Sequence, residues 1–276
     1  MKSIQELQDI ARRVRVNLLR SIHGAGGGHT GGSLSSADIL TTLYFRILRY
    51  SPHEVLPDRD RFILSKGHSV EGFYAVLAEA GFFAEEELWN YGTFGAMLYG
   101  HPTPKVPGVE VPTGALGHGL SVGVGMAIAA QRDRLPSRVF VLMGDGEQAE
   151  GSVWEAAMSA SHYRLGNLIG IIDHNKLQIS GNVDDVMTIS SLRDRWASFG
   201  WRVFEVDGNS VTKLVELFDA LPTDGEAPIM VVAHTVKGKG VSFIENNPSW
   251  HHKVPSTEEL TRALQELGYQ TAEANQ

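Results

Sequence analysis

The spacing of apolar residues divides this chain into alternating helices and strands. Near the N-terminus apolar residues recur every three or four positions, and Ser3 with Glu6 has the pattern of a capping box, so we predict a helix over 3–21. The same kind of periodicity predicts further helices at 36–49, 114–132, 152–163, 210–221 and 256–267. Short continuous apolar runs predict buried strands at 61–64, 138–143, 168–172, 201–206 and 229–233.

The order of these elements predicts the fold class. Continuous apolar strands that alternate with helices are typical of an α/β fold, with a mostly parallel sheet covered by helices on both faces. The chain contains no internal repeat and no linker, so we expect a single domain over 1–276. The glycine-rich segment 24–32 is expected to lack regular structure. The last residues, 271–276, are expected to fray.

Composition narrows the class of protein. Of the 276 residues, 42% are hydrophobic and 20% are charged, which is typical of a soluble globular protein. The net charge of −8 offers no basic surface, so we expect neither nucleic acid nor a membrane as a partner. The chain has no cysteine, which excludes disulfides, thiolate metal sites and a cysteine nucleophile. It also lacks the apolar core of a signal peptide and any window apolar enough to span a membrane, so a cytoplasmic location is expected.

Two polar loops follow neighbouring apolar strands. Asp145 stands between two glycines directly after the strand at 138–143, and Asn175 follows the strand at 168–172. One helix and one strand separate them, which is enough chain for a right-handed crossover, so parallel strand ends would bring these side chains together. Carboxylate, amide and carbonyl oxygens suit a Mg²⁺ ion that also holds a diphosphate. The alternative is a simple Gly-Asp-Gly turn in which Asn175 is only a local cap.

Gly144-Asp145-Gly146 with Asn175 resembles the thiamine diphosphate signature, and the surrounding motifs resemble the transketolase family in particular. These motifs follow the family's order and extend over about residues 5–265. They are Gly28-His29-Thr30-Gly31-Gly32-Ser33-Leu34, Leu64-Ser65-Lys66-Gly67-His68, Gly100-His101-Pro102, Thr113-Gly114-Ala115-Leu116-Gly117-His118-Gly119, Glu150-Gly151-Ser152-Val153-Trp154-Glu155 and Trp250-His251. Each motif alone is weakly specific, whereas the set is highly specific.

The resemblance implies a thiamine-diphosphate-binding fold with thiamine diphosphate and Mg²⁺ as cofactors, with Ca²⁺ or Mn²⁺ as possible substitutes for Mg²⁺. The implied metal ligands are Asp145, Asn175 and the carbonyl group of Leu177. The implied cofactor-binding residues are His68, Gly114, Leu116, Asp145, Gly146, Asn175, Lys237 and His251. Lys237 lies among glycines that would let its loop fold over a phosphate, whereas an exposed basic loop is the alternative. Lys239 on the same loop is expected to be solvated.

The resemblance also implies transfer of a two-carbon ketol unit from a ketose phosphate to an aldose phosphate. The implied catalytic residues are His29, His68, His101, His251 and Glu150. Imidazoles titrate near neutrality and suit the proton transfers that accompany C–C cleavage and formation. We expect His29 and His251 near the ketose hydroxyl and oxyanion, and His101 near the donor's terminal hydroxyl. Glu150 matches a family glutamate at the subunit interface, although a local salt bridge would also explain it.

Four positions stand apart from the family pattern or from the predicted site. His174 precedes Asn175 where an acid or amide is common, which does not threaten metal binding. His118 stands where glutamine is usual, and Thr103 stands where an acidic residue often follows Gly-His-Pro. These two differences concern the substrate side and put the sugar specificity in doubt. His252 adjoins His251 and is expected to point away from the site.

The sequence stops shortly after this last histidine pair, whereas the transketolase family continues with a pyrimidine-binding domain and a C-terminal domain. The resemblance implies that the pyrimidine-binding domain supplies the glutamate needed for ylide formation and most groups that hold the substrate phosphate. We therefore expect a partner, a transketolase C-terminal subunit, in an α2β2 heterotetramer, and an inactive isolated chain. A fragment of a longer enzyme would give the same sequence.

Several alternatives remain open at this point. Other thiamine diphosphate enzymes, such as a 2-oxo acid dehydrogenase subunit or a specialised sugar transketolase, share Gly-Asp-Gly, although the histidine motifs favour transketolase. A dinucleotide-binding domain around 117–119 is disfavoured because its third glycine falls one position late and no strand precedes the turn. A zinc site is disfavoured because no close histidine spacing supports it. A non-catalytic cofactor-binding protein is the remaining alternative.

Overall fold

The computed structural model describes residues 1–188, 191–222 and 225–269, so the prediction for 271–276 lies outside the described residues. Helix α1 (Ile4–Ala25) begins at the predicted capping box, in which the Ser3 side chain accepts from the Glu6 backbone and Glu6 reaches back to Ser3. The helix runs four residues beyond the predicted end and closes at Gly26, whose φ of 64° is left-handed.

The strands form one parallel sheet and one short hairpin. The main sheet contains β1 (Arg61–Leu64), β2 (Val139–Gly144), β3 (Leu168–His174), β6 (Arg202–Asp207) and β7 (Ile229–His234), and the hairpin contains β4 (Leu177–Gln178) and β5 (Gly181–Asn182). The main sheet has the order β1-β2-β3-β7-β6, and every pair in it is parallel. All five predicted strands and the predicted α/β class are therefore confirmed. The prediction that 201–206 is buried is wrong, because β6 lies at the edge of the sheet and most of its side chains are exposed or half-buried.

Helices cover both faces of this sheet. After α1 they are α2 (Thr30–Ser35), α3 (Ala37–Thr42), α4 (Val70–Glu79), α5 (Gly119–Arg132), α6 (Gly151–His162), α7 (Val183–Val186), α8 (Leu192–Ser198), α9 (Val211–Ala220) and α10 (Thr257–Glu266). Alternate side chains of β2 enter different apolar clusters: Phe140 belongs to the cluster that contains Val14 of α1, whereas Val141 belongs to the cluster that contains Leu120 of α5 and Trp196 of α8. Two buried faces explain why the inner strands β2, β3 and β7 are continuous apolar runs.

The prediction that 24–32 lacks regular structure is wrong, because α2 begins at Thr30. All six residues of α2 are buried. A β-carbon at Gly31 would lie 2.9 Å from the Trp250 carbonyl oxygen, so the glycine permits close contact between this helix and the chain's C-terminal part. Tertiary packing stabilises a helix here that local propensity disfavours.

Other differences concern boundaries and short elements. α5 begins at Gly119 rather than at 114, because Gly114 and Gly117 have φ of 147° and 81°, which a helix cannot contain. The helix predicted over 36–49 is α3 followed by a π-helical turn, Leu43–Ile47. α4 and α8 were not predicted. α4 is buried almost all round and therefore lacks a polar face with a helical period.

Candidate functional site

The carboxyl ends of β2 and β3 lie side by side and present the two predicted metal ligands. Gly144 pairs with Asp173, so Asp145 and Asn175 leave the sheet at nearly the same level. Asp145 is 3% exposed and Asn175 is 7% exposed. Both side chains line a cavity of about 470 Å³, which we call the first cavity and which is of the size that holds small ligands.

The Asp145 carboxylate is buried but held by backbone groups. It accepts hydrogen bonds from the backbone N–H of Gly146 at 2.7 Å and from the backbone N–H of Lys176. Burial, with a smaller contribution from the nearby carboxylate of Asp173, raises the pKa of Asp145 to about 6. A buried anion of this kind is stabilised by a cation placed against it.

The other two predicted ligands are oriented by their neighbours. The side-chain Nδ2 of Asn175 donates to Asp173 Oδ2 at 3.3 Å, while its Oδ1 accepts from the Leu177 backbone N–H at 3.1 Å. The Leu177 carbonyl oxygen accepts from Lys237 Nζ at 2.9 Å, so a positive charge already lies at this oxygen. One carboxylate, one amide oxygen and one carbonyl oxygen are hard donors that fit Mg²⁺. Within 1–188, 191–222 and 225–269, no group of three or more His, Asp or Glu side chains is arranged to hold a metal.

A buried ion pair that sequence reasoning missed supports Asn175. Lys66 Nζ contacts Asp173 Oδ2 and donates to the Gly32 carbonyl oxygen at 3.1 Å. Ser35 and Thr235 also donate to Asp173. Burial alone would raise the pKa of Asp173, but the Lys66 charge and the hydrogen bonds from Lys66, Ser35 and Thr235 together hold the pKa below its usual range. An acid at the end of an otherwise apolar strand was the available signal.

Glu147 is a second missed residue, and it joins three loops. Its carboxylate accepts from the backbone N–H of Gly117 at 2.8 Å, from the backbone N–H of Gly144 at 3.0 Å and from the Ser65 hydroxyl. It is 2% exposed, and burial raises its pKa. The loop that carries Gly114 and Leu116, which both line the first cavity, is thereby fixed to the end of β2.

Three predicted histidines meet at the first cavity. The ring centre of His29 lies 5.3 Å from that of His68 and 5.7 Å from that of His251, and the rings of His68 and His251 stack at 5.3 Å. Burial first, and then neighbouring histidine and lysine charges, lowers the pKa of His29 to about 4, of His68 to about 2 and of His251 to about 3. At neutral pH these rings are therefore uncharged.

His101 and His252 border a second cavity of about 300 Å³, and His29 lies between the two cavities. The His101 ring centre is 6.2 Å from that of His29. The His252 ring centre is 4.5 Å from it, so the prediction that His252 points away is wrong. His252 directly follows the turn Pro248–His251, with a φ of −131° and a ψ of 18°, and the side chains of His251 and His252 both contact the His29 ring.

Two charged residues at the first cavity differ in exposure. Lys237 is 2% exposed, and burial lowers its pKa to about 8, so its side chain is not part of a solvated loop. Glu150 is the N-cap residue immediately before α6 and lines the first cavity, but its side chain is exposed and makes no cap hydrogen bond. Gly146 also lines this cavity.

Comparison with known proteins identifies the family. The family described as "Transketolase, thiamine diphosphate binding domain" matches residues 7–275. The chain belongs to this family. The predicted resemblance to transketolase is therefore confirmed, and neither a dinucleotide-binding domain nor a 2-oxo acid dehydrogenase subunit is favoured.

Relatives of similar length are named as parts of transketolases. The chain is 47% identical over 265 residues to a protein of Phocaeicola vulgatus that is named as one subunit of apulose-4-phosphate transketolase, covering 96% of this chain and 94% of that protein. It is 40% identical over 260 residues to a protein of Clostridium sp. that is named as one subunit of 6-deoxy-6-sulfo-D-fructose transketolase, with 94% of each chain covered.

Full-length transketolases are also similar, over part of their length. Human transketolase is 40% identical over 271 residues, which is 96% of this chain and 42% of that protein. A solved transketolase structure from Pichia stipitis superposes with a TM-score of 0.91 at 28% identity, covering 99% of this chain. The chain thus spans 42% of the length of that solved enzyme. In the described part of this chain, no helix is long and apolar enough to cross a membrane.

Proposed function

We propose that this chain is the thiamine-diphosphate- and Mg²⁺-binding subunit of a transketolase. The observation that carries the proposal is the placement of Asp145 and Asn175 at adjacent strand ends, where both line a cavity that also contains His29, His68 and His251. The similarity to proteins named as transketolase subunits supports it. The cytoplasmic location expected from the sequence stays a prediction.

The metal and the diphosphate would be held at the ends of β2 and β3. Asp145, Asn175 and the Leu177 carbonyl group would bind Mg²⁺, and Lys237 would leave that carbonyl oxygen for a diphosphate oxygen. Gly146 would contribute a backbone N–H, and His68 and His251 a neutral ring nitrogen each. Gly114 and Leu116 would border the cofactor's rings. When bound, thiamine diphosphate supplies the nucleophilic carbon and the electron sink for ketol transfer.

The histidines would bind the sugar and move its protons. His29 has a buried Nδ1 atom without a hydrogen-bond partner among the described residues, so this nitrogen is available to a sugar hydroxyl. A neutral imidazole with one protonated and one free nitrogen both donates and accepts, as proton transfer at a hydroxyl requires. His101, across the second cavity, would contact the donor's terminal hydroxyl. Glu150, which is exposed on this chain, would lie at the subunit interface.

A partner chain would complete the enzyme. We propose that it carries the pyrimidine-binding and C-terminal domains, in an α2β2 assembly. The lengths of the relatives named as subunits support this division, because each is nearly fully covered by this chain. The same names support a specialised sugar as the donor. A ketose phosphate such as apulose 4-phosphate therefore belongs beside xylulose 5-phosphate among the substrates to be tested.

Reconstitution tests the proposal. The chain, the protein encoded next to it, thiamine diphosphate and Mg²⁺ are combined and assayed for ketol transfer to an aldose phosphate from each ketose. Transfer that needs both chains and the metal supports the proposal. An active isolated chain would contradict the partner assignment, and cofactor binding that ignores Mg²⁺ would contradict the site.

A further inference from the structure

Glu71 is a fully buried acid that the proposed chemistry does not use. It is the second residue of α4 and is 2% exposed. Its described hydrogen-bond donors are uncharged: the His29 backbone N–H at 2.9 Å, the Ser33 hydroxyl at 2.8 Å and the Tyr91 hydroxyl at 2.8 Å. Burial raises its pKa.

The chain around Glu71 is shaped to admit its carboxylate. Gly28 has a φ of 152°, and a β-carbon there would lie 2.7 Å from Glu71 Oε1. Only glycine therefore allows the turn before His29 to lie against the carboxylate. Tyr91, whose hydroxyl donates to the same oxygen, lines the second cavity and is 4% exposed.

A carboxylate buried among neutral donors pays a desolvation cost that an apolar side chain in α4 would not. What the carboxylate provides is placement. Oε1 accepts from the backbone N–H of His29 and from the hydroxyl of Tyr91. One oxygen atom therefore holds both His29, which lies between the two cavities, and Tyr91, which lines the second cavity. The imidazole of His29 has no hydrogen bond at Nδ1 among the described residues, so its position depends on its backbone and on packing against the neighbouring histidine rings.

We propose that Glu71 is a positioning residue, whose carboxylate holds His29 and Tyr91 in the geometry that the sugar substrate requires. The expected effect of Glu71 on turnover rests on the proposed function, whereas its expected effect on the position of His29 does not. Glu71 touches neither cavity itself and acts through the two residues that it orients.

The structural consequence is measured on the isolated chain, without cofactor or partner. Glu71→Gln keeps the shape but weakens the acceptor, and Glu71→Ala removes it. We expect amide hydrogen exchange at His29 to rise several-fold in the Gln variant and roughly tenfold to a hundredfold in the Ala variant. Asp60 provides a matched control, because it is a buried acid (3% exposed) that accepts from Arg49 and Arg138 at the amino end of β1. Asp60→Asn should lower the melting temperature and leave His29 exchange unchanged.

The kinetic consequence is measured on the reconstituted enzyme. Glu71→Ala should lower kcat for ketol transfer by roughly tenfold to a hundredfold, because a small displacement of a catalytic group has effects of this size, and Glu71→Gln should recover most of the loss. Thiamine diphosphate affinity should not change, because the hydrogen bonds of Glu71 are with His29, Ser33 and Tyr91, none of which is proposed to bind the diphosphate. Unchanged amide exchange at His29 in the Glu71→Gln variant overturns the inference, and this test remains valid even if the Glu71→Ala variant does not fold.

If amide exchange at His29 responds as expected but the wild-type assembly transfers no ketol unit, the proposed function fails and the structural role of Glu71 stands.

Discussion

Lys237 Nζ lies 2.8 Å from His251 Nδ1, and the same ammonium group donates to the Leu177 carbonyl oxygen at 2.9 Å. The loop after β7 is thereby tied both to the turn Pro248–His251 and to the hairpin that begins with β4. Lys237 is buried, and burial lowers its pKa to about 8. Its ammonium group therefore lies in the lining of the first cavity rather than in solvent. An anionic ligand that enters this cavity would meet a cation that is already partly desolvated.

Lys237→Met should weaken thiamine diphosphate binding by roughly tenfold to a hundredfold, because a desolvated charge pairs strongly with a phosphate. Lys239→Met is the matched control, since that side chain lies on the same loop, is partly exposed and pairs with Glu245 at 3.3 Å. Isothermal titration of both variants in the presence of Mg²⁺ measures the difference. Equal affinities for the cofactor would contradict the assignment of Lys237.

Asp145→Asn should reduce Mg²⁺-dependent cofactor affinity by more than about a hundredfold, because it removes the charged ligand of the proposed metal site. The fold should not suffer, since the buried carboxylate has a pKa raised to about 6 and is unfavourable without a cation. Titration with and without Mg²⁺, beside thermal unfolding, separates the two effects. Asp133→Asn, at an exposed position after α5, serves as the control. Retained metal dependence in Asp145→Asn would defeat the site assignment.

Lys66→Met should destabilise the fold by about 3–5 kcal/mol, because it leaves the buried carboxylate of Asp173 without its cation. The double variant Lys66→Met/Asp173→Asn should be less destabilised than the sum of the two single variants. Urea unfolding of the wild type, the two single variants and the double variant provides this double-mutant cycle. Strictly additive free energies of unfolding would show that the pair is not coupled.

The free energy of unfolding should fall as the pH drops from about 6.5 to about 4, partly because of His29. The unfolded chain binds a proton at this ring below its ordinary pKa of 6.5, whereas burial lowers the folded pKa to about 4, so acid favours the unfolded state in this window. We expect a contribution on the order of 1–2 kcal/mol, since the ring is partly exposed. His29→Gln should flatten this part of the stability–pH curve measured by denaturant unfolding, and an unaltered slope would refute the attribution.

His252→Gly should raise the KM for the sugar several-fold in the reconstituted enzyme while cofactor affinity stays constant. The reason is that His252 borders the second cavity, whereas the proposed cofactor residues line the first. Steady-state kinetics with two ketose donors, together with thiamine diphosphate titration, measures both quantities. A change in cofactor affinity with constant KM would place His252 in the other cavity.

The sequence was sufficient to predict the strands of the main sheet and the family of the protein. The inner strands β2, β3 and β7 are buried on both faces and therefore appear as continuous apolar runs, such as 138–143, that local pattern alone identifies. The capping boxes at Ser3 and Ser256 likewise depend on residues three positions apart, and both helices begin as predicted. Motif order along the chain then indicated transketolase before any contact was known.

Beyond the pairing of Asp145 with Asn175, which the strand order predicts, only the tertiary structure showed which side chains contact one another. The ion pair of Lys66 with Asp173, the contact of His252 with His29 and the placement of Glu71 join residues far apart in the chain, and no local period encodes them. Helix α2 forms in a glycine-rich segment because its surroundings bury it, which propensity could not predict. Local sequence patterns determine whether a segment forms a helix or a strand and which of its faces is buried. The chemistry of a site depends instead on distances between side chains, and these distances exist only after the loops at the strand ends have packed together.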